Sequence, residues 1–134
     1  MEFRIIIFSL VTWVLFAILA IINGTIRDTT YGKKIDELFA HQISTIIFSI
    51  VIILVTYIFI KLTSPTSYQS IWIGIAWVLM TIIFEFIFGH YVAGHTWERL
   101  LMDYNVLKGR VWLIILIITA IAPYMINKII NITS

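Results

Sequence analysis

The chain reads as an all-α polytopic membrane protein, a four-transmembrane-helix bundle forming a single membrane domain. Two observations predict this. Of its 134 residues, 61% are hydrophobic and only 12% are charged, about half the ~25% charged fraction of a soluble domain. The apolar residues also fall into four runs, at residues 5–22, 43–60, 71–88 and 111–126. At ~1.5 Å per residue, a run of about 18 residues covers about 27 Å, close to the hydrocarbon thickness of a bilayer. Backbone groups in hydrocarbon must satisfy one another, so these runs are expected to be helices despite their many β-branched isoleucines.

The first run follows a short charged start, Met1 to Arg4, and is longer than the core of a signal peptide. It leads into Asn23-Gly24-Thr25 rather than a small-x-small cleavage site, so it reads as a retained span. The polar stretch after it becomes amphipathic over residues 33–42, where Ile35, Leu38 and Phe39 share a helical face. An interfacial helix there would run directly into the second span. The second run carries no charge, and one helical stripe holds His41, Thr45, Ser49 and Thr56. Residues 62–70, with Pro65, read as a plain loop.

The third run contains Glu85, on a stripe with Gly74, Val78, Thr81 and Gly89, and the fourth is short, with Pro123 near its far end. Between them a second amphipathic helix is expected over residues 96–107. Trp97, Leu100, Leu101, Tyr104 and Leu107 form its apolar stripe, and Glu98, Arg99 and Asp103 lie opposite. Gly94 and Thr96 suit its start, with Glu98 favoured near the positive end of the helix dipole.

The connections 1–2 and 3–4 must share a side of the membrane. They hold Arg27, Lys33, Lys34, Arg99, Lys108 and Arg110, against Arg4, Lys61 and Lys128 on the other side. That excess puts both connections in the cytoplasm and both termini outside the cell membrane. All three histidines and every acid except Glu2 then fall on one face. The protein is chemically one-sided.

Several function classes are excluded. The absence of cysteine rules out disulfides, thiolate metal sites and thiol nucleophiles. Scattered basic residues with a net charge of +2 do not make a nucleic-acid surface. The run Gly89 to Gly94 follows no strand, so it is a bend rather than a phosphate loop, and no nucleophile elbow is present.

The candidate site lies in residues 84–110, FEFIFGHYVAGHTWERLLMDYNVLKGR. Glu85 sits about one turn inside the apolar run, roughly 4–5 Å from its end. Ionisable groups at that depth are functional candidates by default. It either pairs with Arg99 or Arg110 to fix the helix 3–4 corner, or binds a proton or ligand. His41 tops its stripe at the expected level of Glu85, and with His90, Arg99 and Asp103 completes the candidate ligand-binding or proton-binding set. Imidazole plus carboxylate would suit Zn²⁺ or Fe²⁺, so His90, His95 and Glu98 form a secondary metal reading. The order H-T-W-E matches neither H-E-x-x-H nor E-x-x-H, and no cofactor is predicted. Trp97, Tyr91, Tyr104 and Trp112 form an aromatic belt at the membrane interface.

The run TIIFEFIFGHYVAGHTWERLLMDYNVLKGRVW, with the later APY and with AHQIST at residues 40–45, resembles a family of small four-span prokaryotic membrane proteins. The resemblance covers the chain from about residue 23 onward and implies the four-span fold without an activity. Glu98-Arg99 followed by Asn105 is also similar to the E-R…N motif of the glutathione-linked membrane eicosanoid enzymes. There the motif lies near helices 1–2 with one more residue before the Asn, whereas here it follows the third span.

Three functions are weighed. The favoured one is an accessory or assembly subunit whose charged face binds a membrane-protein partner or lipid headgroups. The second is a homo-oligomeric channel or proton-linked carrier using Glu85. The third is an enzyme acting at the interface on a lipid-like substrate, with Glu85 or Asp103 as general base and Arg99 as anion clamp.

Overall fold

The computed structural model describes residues 2–92, 94, 96–98 and 112–133. Four helices carry the fold: α1 (Phe3–Thr29), α2 (Glu37–Thr63), α3 (Ser67–Ile87) and α4 (Trp112–Thr133). A five-residue π turn, Phe88–Val92, extends α3. No strand occurs among the described residues. All four helices are long and apolar enough to cross a membrane, over Phe3–Thr29, Glu37–Thr63, Ser67–Val92 and Leu113–Asn131.

The helices outrun the apolar stretches, and capping chemistry explains where they stop. α1 continues through Asn23 and Gly24, with Thr25 and Thr29 returning their hydroxyls to the carbonyls of Ile21 and Thr25 at 2.8 and 2.7 Å. The amphipathic segment expected over residues 33–42 divides in two. Tyr31–Lys33 form a 3₁₀ turn, while Glu37 to Gln42 are the first residues of α2 itself. Gly32 is required in that turn, because a methyl group there would overlap the Arg27 carbonyl.

The expected loop over residues 62–70 is a tight corner instead. Ser64 adopts a left-handed conformation (φ 48°) and its N–H closes on the Ile60 carbonyl at 2.8 Å. Thr66 and Gln69 then form a capping box, with bonds of 3.1 Å and 2.9 Å, that starts α3 at once. Across the bundle, Arg4 of α1 donates to the carbonyls of Leu62 and Thr63, both at 3.2 Å. Its positive charge suits the negative end of α2.

α4 packs between α2 and α3, and α1 packs along α2. The core centres on Trp77, which is 0% exposed. Phe16 meets its ring edge-on at 5.1 Å and Phe59 meets it at 5.2 Å, with Ile52, Ile73 and Ile115 around them. Edge-to-face packing of this kind stabilises beyond the area buried. Lipid tails are as apolar as leucine, so close approach and interhelical hydrogen bonds must hold the helices together. α3 approaches α4 where Gly74 lies against the Ala120 carbonyl, a contact that any Cβ would obstruct. Asn127 of α4 donates to the Pro65 carbonyl and to Ser70 Oγ, both at 2.9 Å, and accepts from Asn131 at 2.8 Å.

Candidate functional site

Three interhelical contacts fix the depth of Glu85. The Trp13 indole N–H donates to Thr81 Oγ1, and the Trp77 indole N–H donates to the Ser9 carbonyl, each at 3.0 Å. Both bonds span 68 residues, so α1 and α3 run parallel with Ala17 level with Glu85. Asn23 donates to the carbonyl and hydroxyl of Ser44 at 3.1 and 2.7 Å, and sets the antiparallel register of α1 and α2. Glu85 is therefore level with Ala17 and with the Ser49–Ile50 region of α2. Its side chain is half-buried.

This register departs from the shared level expected for His41 and Glu85. His41 lies level with Ile26, about nine residues further along the bundle, on the order of 13 Å at ~1.5 Å per residue. Glu85 is correspondingly deeper than its position in the apolar run suggested, because α3 continues through the π turn to Val92. On α2, His41 Nδ1 lies 2.9 Å from the Glu37 carbonyl, to which it donates. Thr45 and Ser49 donate to the carbonyls of His41 and Thr45 at 2.8 and 2.7 Å. The polar stripe read from the sequence is thus bonded into its own helix.

His90 stands in the π turn with its ring stacked on Trp97 at 3.7 Å and 13°. Tyr91 meets the imidazole edge-on at 4.9 Å, and Phe86 lies 6.2 Å from Trp97 with its ring tilted 27°. A π turn adds a residue to a helix and re-aims the side chains after it, and here it brings His90 over the indole. Glu98 is exposed. Among the described residues no group of three or more His, Cys, Asp or Glu could hold a metal. His95, the third member of the expected Zn²⁺ or Fe²⁺ set, lies outside the described residues, as do Arg99 and Asp103. Of the interfacial helix expected over residues 96–107, Thr96, Trp97 and Glu98 are described; Thr96 is non-helical, and Trp97 and Glu98 are helical.

Compared with known proteins, the chain matches no family model, and no curated protein or solved structure is similar to it.

The sequence reading missed a polar cluster at the α1–α2 corner. Arg27 pairs with Asp28 at 2.9 Å and reaches Ser44 Oγ at 3.5 Å, next to the Asn23 bonds. Its signal was available. Asn23 and Asn127 each sit one residue past an apolar run, and an asparagine continuing a membrane helix is expected to bond a neighbouring helix.

Arg27, Asp28, Lys33, Lys34, Asp36, Glu37, His41, His90 and Glu98 all lie toward the end of the bundle where α1 finishes and α2 begins. The opposite end carries Glu2, Arg4, Lys61 and Lys128. Chemically, the richer end offers charge and aromatic surface for recognition. Among the described residues, the interior offers one half-buried carboxylate, that of Glu85.

Proposed function

We propose that this chain is an accessory or assembly subunit of the cell membrane, which binds a membrane-protein partner through its polar end. The supporting observation is the contrast between that end and the interior. Charges of both signs and the His90–Trp97 stack gather at one end, whereas the core is filled by Trp77, Ile52 and Ile115. Core hydroxyls at Thr63, Ser70, Thr81 and Thr119 are bonded to the carbonyl four residues before each of them. Such a core has little to offer a permeating ion. The test is affinity purification from native membranes in mild detergent. A stoichiometric partner should co-purify and be lost on Lys33→Gln/Lys34→Gln. A single homo-oligomer without a partner would overturn this reading.

The depth of Glu85 favours a second reading, a homo-oligomeric proton-linked carrier. A carboxylate level with Ala17 and Ser49 lies closer to the midplane, where carrier sites concentrate. Glu85→Gln should then abolish proton-linked flux in proteoliposomes, and unchanged flux would remove this residue from any transport role.

A further inference from the structure

Thr56 behaves unlike the other core hydroxyls. Thr45, Ser49, Thr63, Ser70, Thr81 and Thr119 each donate to the carbonyl four residues earlier, at 2.7–2.9 Å. Thr56 is 0% exposed, and its hydroxyl has no hydrogen-bond partner among the described residues. It lies two turns before the C-terminal end of α2, where packed side chains surround it. A hydroxyl withdrawn from water without a partner costs about 1–3 kcal/mol on mutational scales.

The neighbouring helix carries a carbonyl whose usual helical donor is missing. α2 and α4 pack side by side and run in the same direction. The bond from Asn127 to the Pro65 carbonyl spans 62 residues, which sets Thr56 close to the level of Thr119. Pro123 lies inside α4 and is among the fully buried side chains. Proline has no N–H, so the carbonyl four residues before it, that of Thr119, loses its helical donor. Thr119 is itself buried, and its hydroxyl is already committed to the Ile115 carbonyl at 2.7 Å. In a bilayer a freed carbonyl must be satisfied by a neighbouring side chain or an ordered water.

From this juxtaposition we infer that the α2–α4 interface holds a structural water molecule within the apolar part of the bundle, bridging Thr56 Oγ1 and the Thr119 carbonyl. The chemistry selects water over a metal cation. A cation such as Ca²⁺ takes about 6–8 oxygens and favours carboxylates, whereas this site offers neutral oxygens from two residues. A buried water needs only about 2–4 polar partners. It can accept a hydrogen bond from the Thr56 hydroxyl and donate one to the Thr119 carbonyl, which satisfies both groups together. The site is separate from the polar end of the bundle and does not depend on the subunit or carrier readings.

The test is water-edited solid-state NMR on the full chain in deuterated-lipid bilayers. Magnetisation from water should reach Thr56 and Thr119 several-fold faster than their helix neighbours Ile52 and Ile115. Thr56→Ser, which keeps the hydroxyl, should preserve that transfer at Thr119. Thr56→Val should remove it, and so should Pro123→Ala, which supplies an N–H to the same carbonyl. Equal build-up at all four positions in the unmodified chain would overturn the inference. So would fast transfer at Thr119 that survives both Thr56→Val and Pro123→Ala.

Discussion

Trp13 and Thr81 are joined by a 3.0 Å hydrogen bond from the indole N–H to the hydroxyl oxygen, and that hydroxyl in turn donates to the Trp77 carbonyl at 2.7 Å. The Trp77 indole closes the circuit on the Ser9 carbonyl of α1. α1 buries only Ile5 and Phe16, so bonds of this kind, rather than extensive burial, fix it against α3. Interhelical hydrogen bonds in membranes contribute about 0.6 kcal/mol on average and up to ~1.7. Thr81→Val and Trp13→Phe should each lower stability by about 1 kcal/mol. The double variant should cost less than the sum, since both remove the same bond. Unfolding in graded dodecyl sulfate checks this, and additive costs would show the bond to be energetically silent.

Asn127 should be among the most sensitive polar positions. Its amide satisfies the Pro65 carbonyl and Ser70 Oγ, and its oxygen accepts from Asn131. Asn127→Ala leaves buried partners unsatisfied, which costs about 1–3 kcal/mol. Thermal denaturation in detergent should show a clear loss, much larger than that of Asn131→Ala on the partly exposed side of the same network.

Gly74→Ala is expected to separate α3 from α4 locally. The added methyl would overlap the Ala120 carbonyl, which is backbone and cannot rotate away. Overpacking of this kind costs about 1–3 kcal/mol. Gly24→Ala provides the control, because its nearest neighbour is the flexible end of the Arg27 side chain at 3.6 Å. Comparable unfolding midpoints for the two variants would contradict the close α3–α4 approach.

Ser64→Gly should stabilise the protein. Ser64 holds φ 48° at the α2–α3 corner, a left-handed conformation that costs an L-residue roughly 1 kcal/mol and glycine little. The greater unfolded-state freedom of glycine offsets part of that gain. A rise of a few tenths of a kcal/mol in unfolding free energy is the expected result, and a fall would show that the serine side chain contributes at the corner.

The four spans were legible because hydropathy and backbone satisfaction are local properties of the chain. Residues 5–22 and 43–60 must be helical in hydrocarbon whatever they pack against. Helix ends were less legible, since hydropathy falls before hydrogen bonding stops. α1 therefore carries Asn23 and Gly24 inside the helix, and α4 carries Asn127. The Thr66–Gln69 capping box was readable as T-x-x-Q, but Pro65 drew the segment toward a loop.

The candidate site was legible in composition and not in depth. His41, Glu85 and His90 were found by residue type, but a helical stripe says nothing about how far one helix slides along another. That slide is set by Trp13 on Thr81, Trp77 on Ser9 and Asn23 on Ser44, and it separates His41 from Glu85.

By itself the sequence determined four membrane-spanning helices and a polar, histidine-bearing end, because the cost of burying polar groups in hydrocarbon is paid residue by residue. Only the tertiary structure decided that α4 lies between α2 and α3, that Glu85 is level with Ala17, and that His90 stacks on Trp97. These depend on side chains from distant parts of the chain fitting one another. Gly74 admits the Ala120 carbonyl, and the two indole N–H groups each find an oxygen on the facing helix. Shape and hydrogen-bond complementarity between helices are properties of pairs, and no one-dimensional pattern encodes them.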